Sequence, residues 1–219
     1  MIIGINGYAG SGKDTIGTII QYLHCTNTGD ITLEELLADP KHHEWWMEDQ
    51  SGWEIKKWAG KLKVIASILT GIPQEKFEDQ EFKKTFLGPE WFTWHPNSDR
   101  PEPMSVRDLL QKLGTDACRN GLHKNTWVNA LMADYQPVAL EQPSNWIITD
   151  TRFPNEALAI KDAGGIIIRV DRPGVKPVNP HSSETSLDNW DFDYKIWNGS
   201  DLVALSFTIN NILKKENLI

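Results

Sequence analysis

The chain is poor in cysteine, with only Cys25 and Cys118 among its 219 residues. Two distant thiols cannot staple a fold of this size, which excludes a disulfide scaffold and fits a reducing compartment. No apolar run approaches the roughly 20 residues that a membrane helix requires. No basic stretch precedes a long apolar one near Met1, so no secretory leader is expected and the cytoplasm is the expected location, the host's if the chain is viral. A dense Lys/Arg run is also missing, and the net charge is −8. A general binder of nucleic acid polymers needs a basic face, so that class is excluded, whereas a small anion can still be held by a few local donors. Internal repeats and low-complexity tracts are absent too.

What remains has the make-up of a globular domain, 40% apolar and 24% charged. Its ten tryptophans are unusual, and several crowd into HHEWWMEDQSGW and GPEWFTWHP. Such rings can stack on a base, or build a local core or an interface.

Five segments read as strands: 2–6, 53–59, 146–150, 165–171 and 193–198. Three are nearly continuous apolar runs, as strands covered on both faces should be. Helical periodicity falls at 13–24, about 60–70, 105–119, 123–134, 154–163 and 201–215. Strands alternating with helices predict a parallel α/β sheet. The long gap between the second and third strands exceeds what one crossover needs, so a helical lobe is expected there. The Pro-, Ser- and Asn-rich stretch 172–192 is expected to be a mobile loop between the fourth and fifth strands.

The first strand runs into GYAGSGKDT, residues 7–15. Gly7, Gly10 and Gly12 let backbone N–H groups turn inward, with Ala9 and Ser11 between them. Lys13 adds a positive charge that reaches outer phosphates, and the following helix points its N-terminus at the anion. Asp14 stands where a phosphate loop carries a hydroxyl, with Thr15 behind it. Either Thr15 takes a magnesium-linked role while Asp14 caps the helix, or Asp14 meets the metal directly or through water.

A second signal is NWIITDTRFPNEA, residues 145–157. Ligands of open α/β sheets gather at the carboxyl ends of strands, which brings Asp150 and Arg152 beside the phosphate loop. Asp150 suits a water-linked Mg²⁺ or a substrate hydrogen bond, and Arg152 a bidentate phosphate clamp. A third signal spans residues 105–131. Arg107 and Gln111 share one helix face, away from Leu109, Leu110 and Leu113, with Arg119 and Trp127 following.

These segments, with WAGKLKVIASILTG, LLQKLGTDACR followed by TWV, and HSSETSLD with KIWNGS, resemble the deoxynucleoside monophosphate kinases of bacteriophages. The GKDT form of the loop is one that this family uses. The resemblance implies a three-layer α/β/α P-loop kinase fold with a five-stranded parallel sheet in the order 2-3-1-4-5. It implies a monophosphate-binding lobe at 60–135, a lid at 172–192, and ATP and Mg²⁺ as cofactors. Arg172 at the lid's root and Asn198 near the adenine join residues 7–15 in the ATP site. Arg169, within a strand, is the weaker phosphate candidate. Lys63, Arg107, Arg119 and Arg152 would hold the acceptor phosphate, Asp116 the 3′-hydroxyl, and Trp127 the space where a ribose carries its 2′-hydroxyl. His181, Ser182, Ser183 and Glu184 match a family segment without a derivable role. A homodimer is expected from the family and the surplus tryptophans. Two other readings compete: dephospho-coenzyme A kinase, and an ATP-binding switch without transfer.

Overall fold

The computed structural model describes residues 1–25, 31–94, 99–135, 144–176 and 185–219. These fall into two compact units, 1–57 with 134–219, and 58–133.

The first unit is built on a five-stranded parallel sheet in the order β2-β3-β1-β4-β5. Its strands are β1 (Ile2–Asn6), β2 (Glu54–Lys56), β3 (Trp146–Ile148), β4 (Ile166–Asp171) and β5 (Tyr194–Trp197). All five residues of β1 are buried, because helices cover both faces of the central strand. Alternate side chains sort between the faces. Ile3 and Ile5 join Ile147, Ile168 and Val170 under helix α1 (Lys13–His24), which contributes Ile16, Ile19 and Ile20. Leu205, Ile209 and Leu213 of the C-terminal helix (Leu202–Lys215) complete that core. On the other face, a Cβ on Gly4 would lie 2.5 Å from the Ile160 side chain. Each buried Ile or Leu contributes about 1.5–3 kcal/mol over its exposed state, so this interior dominates the unit's stability.

Two further helices occupy the tryptophan-rich stretch, α2 (Leu33–Ala38) and α3 (Pro40–Ser51). Local chemistry explains both. Thr32 and Glu35 form a reciprocal capping box at the start of α2. Asp39 caps α3 ahead of Pro40, and Gly52 ends it at φ 66°.

The second unit holds α4 (Gly60–Thr70), α5 (Val106–Gln111), α6 (Thr126–Met132) and 3₁₀ turns at Gln74–Glu78, Phe82–Lys84 and Pro89–Trp91. Its own core gathers Ala66, Phe77, Leu87, Met104, Val106 and Leu109. The helix expected over 105–119 is α-helical only as far as Gln111 and then runs as a π-helix, Lys112–Leu122. Gly114 sits at that transition, where an added Cβ would be 2.9 Å from Leu62. Its carbonyl accepts the Trp127 indole N–H at 2.9 Å, an alternative to an ordinary helical bond.

The tryptophans divide between roles. Trp53, Trp127 and Trp146 are buried core, whereas Trp45, Trp94 and Trp197 are about 70–80% exposed. Among the described residues no helix is long and apolar enough to cross a membrane. Helix α7 (Pro154–Asp162) follows β3, and the C-terminal helix is α8 below. Of the stretch 172–192, residues 177–184, including His181, Ser182, Ser183 and Glu184, lie outside the described residues.

Candidate phosphate-binding site

Between β1 and α1 the chain turns through GYAGSGKDT as a compact loop. Gly12 caps α1 with φ 97°, and a Cβ there would meet Asn198 Nδ2 at 2.5 Å. On Gly7 a Cβ would strike the Val170 carbonyl at 2.5 Å. Both positions therefore demand glycine, one for conformation and one for close approach. Ala9 and Gly10 are exposed at the tip. Lys13 Nζ donates to the Tyr8 carbonyl at 2.8 Å, and the Ser11 N–H reaches the same oxygen at 3.1 Å. Ser11 Oγ is buried without a hydrogen-bond partner. A buried hydroxyl is costly unless paired, and a phosphate oxygen would satisfy it.

The loop is fastened from the side of β5. Asn198 donates through Nδ2 to the Ser11 carbonyl at 2.8 Å, and its own N–H bonds the Asp171 carbonyl at 2.7 Å. Arg172 reaches the Gly10 carbonyl at 3.4 Å. Gly12, Thr15, Arg172, Asn198, Ser200 and Leu205 line a cleft of about 210 Å³. One end of it is polar backbone and cation, the other the apolar start of α8.

Asp14 and Thr15 part company here. Asp14 Oδ1 accepts from Thr149 Oγ1 at 2.8 Å and from Lys57 Nζ at 3.2 Å. The carboxylate thus ties the start of α1 to the ends of β2 and β3. Desolvation by the surrounding atoms works to raise its pKa, but Lys57, the Thr149 bond and Lys13 outweigh it and hold the carboxyl below its usual range. Thr15 opens into the cleft.

Asp150 and Arg152 follow β3 in a turn anchored to β1. The Thr151 N–H bonds the Ile5 carbonyl at 3.2 Å, and Asn6 Nδ2 donates to the Thr151 carbonyl at 2.8 Å. Glu156 is buried and accepts from the backbone N–H groups of Arg152 and Phe153 at 2.8 and 3.0 Å. Sequence reasoning missed Glu156, although a carboxylate two residues after Pro154 is a helix-start signal. It also missed Lys57 and Asn6, which carry no motif. Arg169, the weaker phosphate candidate, is buried and bonds Asn6, Asp171 and Asp188. A lone cation inside GIIIRVD was the available hint.

The remaining candidates belong to the second unit. Arg107 and Gln111 are exposed on α5, with Arg107 3.5 Å from Gln80 Oε1. Asp116 is exposed and Arg119 half-buried on the π-helix. Lys63 is buried and pairs with Glu78. Trp127 is buried against the Gly114 carbonyl.

A protein of Acanthamoeba polyphaga mimivirus is 28% identical over 195 residues, covering 85% of this chain and 82% of its own. The deoxynucleoside-5'-monophosphate kinase of Escherichia phage T5 is 26% identical over 183 residues, 74% of this chain and 72% of that one. The deoxynucleotide monophosphate kinase of Enterobacteria phage T4 is 36% identical over 110 residues, 50% and 46% of the two chains. The deoxynucleotide monophosphate kinase family model matches residues 68–209, well over half of the 219, so the chain belongs to that family.

Proposed function

We propose that the chain transfers the γ-phosphoryl group of ATP to a deoxynucleoside monophosphate, giving the diphosphate and ADP. The observation that carries this reading is the glycine-framed loop, with Lys13 at its rim and the Ser11 hydroxyl buried without a partner. Phosphoryl transfer asks little covalent chemistry of a protein; positioning and charge neutralisation carry it. The loop N–H groups and Ser11 hold the β- and γ-phosphates. Lys13 leaves the Tyr8 carbonyl to neutralise the transferred group. The cleft beside Asn198 and Leu205 takes the nucleoside end of ATP, with Arg172 over its phosphates.

A bound Mg²⁺ would supply charge neutralisation to the phosphates, and Thr15 and Asp150 are the residues that would hold it. Thr15 suits its inner contact, because Asp14 is committed to Thr149 and Lys57. Asp150 suits a water-mediated one, in keeping with an ion that keeps several waters. Arg152, held by Glu156 through its backbone, serves the acceptor phosphate. We assign monophosphate recognition to the second unit, through Arg107, Gln111, Asp116 and Arg119. Lys63 is held for this by Glu78, and Trp127 excludes a 2′-hydroxyl by fixing the π-helix. No general base is needed, since the acceptor phosphate is already a nucleophile. Within the expected lid 172–192, Leu187 and Phe192 are buried and Asp188 pairs with Arg169, so residues 185–192 serve as a fixed wall of the site, and a homodimer in the host cytoplasm is the working form.

The test is ADP release with ATP, Mg²⁺ and each deoxy- and ribonucleoside monophosphate, beside Lys13→Ala. Release that requires a deoxynucleotide and vanishes in the variant supports the proposal. No stimulation by any monophosphate overturns it.

A further inference from the structure

Tyr8 is the second residue of the phosphate loop, and its side chain turns away from the loop's hollow into a polar cluster. Its ring lies over the Arg169 guanidinium, 4.5 Å from centroid to Cζ. Its hydroxyl donates to Asp188 Oδ1 at 2.9 Å. That same oxygen accepts from Arg169 Nη1 at 3.3 Å. Arg169 also donates from Nη1 to Asn6 Oδ1 at 2.7 Å and from Nε to Asp171 Oδ1 at 2.8 Å. Asn6 in turn donates to the Thr151 carbonyl, between Asp150 and Arg152. One buried cation therefore joins the end of β1, the turn after β3, β4 itself and the segment carrying Asp188.

We propose that Arg169 and Asp188 are positioning residues that act through Tyr8 on the phosphate-loop lysine; this rests on the kinase reading above. The Tyr8 carbonyl is the acceptor for both Lys13 Nζ and the Ser11 N–H. Its direction follows from the Tyr8 peptide, and the ring stack and hydroxyl bond pin that residue from the far side. An arginine is suited to the task, because its planar fork can stack under the ring while its N–H groups serve three different oxygens. A lysine could keep the charge but not the plane. The pinned loop presents the inward N–H groups already arranged and holds Lys13 at its rim, so ATP has only to draw the lysine off the Tyr8 carbonyl.

The test compares Tyr8→Phe, Asp188→Asn and the double variant with the unaltered chain. Three quantities are read for each: kcat/KM for ATP, KM for the monophosphate, and the Kd of ATP by calorimetry. Tyr8→Phe keeps the ring on Arg169 and loses only the hydroxyl bond, so it guards against a variant that fails to fold. Each single change is expected to lower kcat/KM for ATP about tenfold, less than the roughly hundredfold that a 1 Å misplacement costs. The monophosphate KM stays within about twofold, and the double variant is no worse than the worse single one, as for two ends of one bond. Additive losses, equal losses for both substrates, or a lowered Tm with unchanged kcat/KM would overturn the proposal. If the unaltered chain transfers no phosphoryl group, the kinase reading fails by itself. The ATP Kd values then decide the positioning proposal alone, with unchanged affinity in both single variants overturning it.

Discussion

The two units handle their candidate residues in opposite ways. In the first, the candidate anion-binding groups are mostly backbone, and side chains tie the segments that carry them together: Asn198 to Ser11, Asp14 to Thr149, Asn6 to Thr151. In the second, the candidates are side chains on short helical pieces, with Arg107, Gln111 and Asp116 exposed and Lys63 and Trp127 buried. The first arrangement is organised before a ligand arrives. The second is a set of long polar side chains on a small core, whose geometry depends on how that core holds its helices. A phosphate shared by every nucleotide can be met by fixed backbone, whereas selectivity needs side chains that differ.

Perturbing each unit sharpens this contrast. Lys13→Ala should have the largest effect on activity, lowering kcat by roughly 10²–10³-fold as for loss of a transition-state donor, with Tm nearly unchanged. Steady-state kinetics beside a melting curve reads both. Trp127→Ala should act chiefly on stability, with discrimination against ribonucleotides lost beside it. Emptying this buried site costs about 3–5 kcal/mol of stability, whereas Trp127→Phe keeps an aromatic filler, loses the Gly114 bond with part of the indole's volume, and costs less than that. Urea unfolding of the two variants separates packing from hydrogen bonding. An equal loss in both would mean that the indole N–H matters more than the core it fills.

Gly12→Ala falls between these in kind. Its φ of 97° and the approach of Asn198 oppose a methyl group, so strain of about 1–3 kcal/mol is expected. ATP affinity by calorimetry should fall, and the Asn198→Ala background should recover part of it. The smallest effect belongs to Asp14. Its folded pKa lies below the ordinary 3.8, so its contribution is present above that value and disappears as pH falls through the folded one. The stability difference between the unaltered chain and Asp14→Asn should be constant from about pH 5 to pH 8 and close below about pH 4. Because the side chain is largely exposed, the difference itself should be small. A gap that widens in acid would show that Asp14 is not paired as described.

The alternation of apolar strands and amphipathic helices was enough to read the sheet, its order coming from the family resemblance. Helix α1 falls on the residues its periodicity indicated, since a buried stripe of Ile16, Ile19 and Ile20 is a long-period local signal. Strand β3 is shorter than WIITD suggests, because the chain turns at Thr149 and Asp150, and Thr149 bonds Asp14. Helices α2 and α3 were not legible: α2 is short, and α3 carries HHEWW with no clean apolar face. The π-helix was invisible for a different reason. It packs through contacts of Gly114 with Leu62 and Trp127, which no local period announces. The ties from Arg169 and Lys57 to the loop likewise depend on which strand ends become neighbours, and that is a property of topology.

The winding of Lys112–Leu122 also makes that segment a matter of counting. A π-helix closes its bonds across one residue more than an α-helix does. Deleting one residue there would remove the extra residue that such a turn holds, and the Gly114 contacts built on that winding would be lost. Arg119 would then sit on a segment wound differently from the present one, although its own side chain is unchanged. Such a stretch can accept many spelling changes and still work, yet it cannot accept a missing letter.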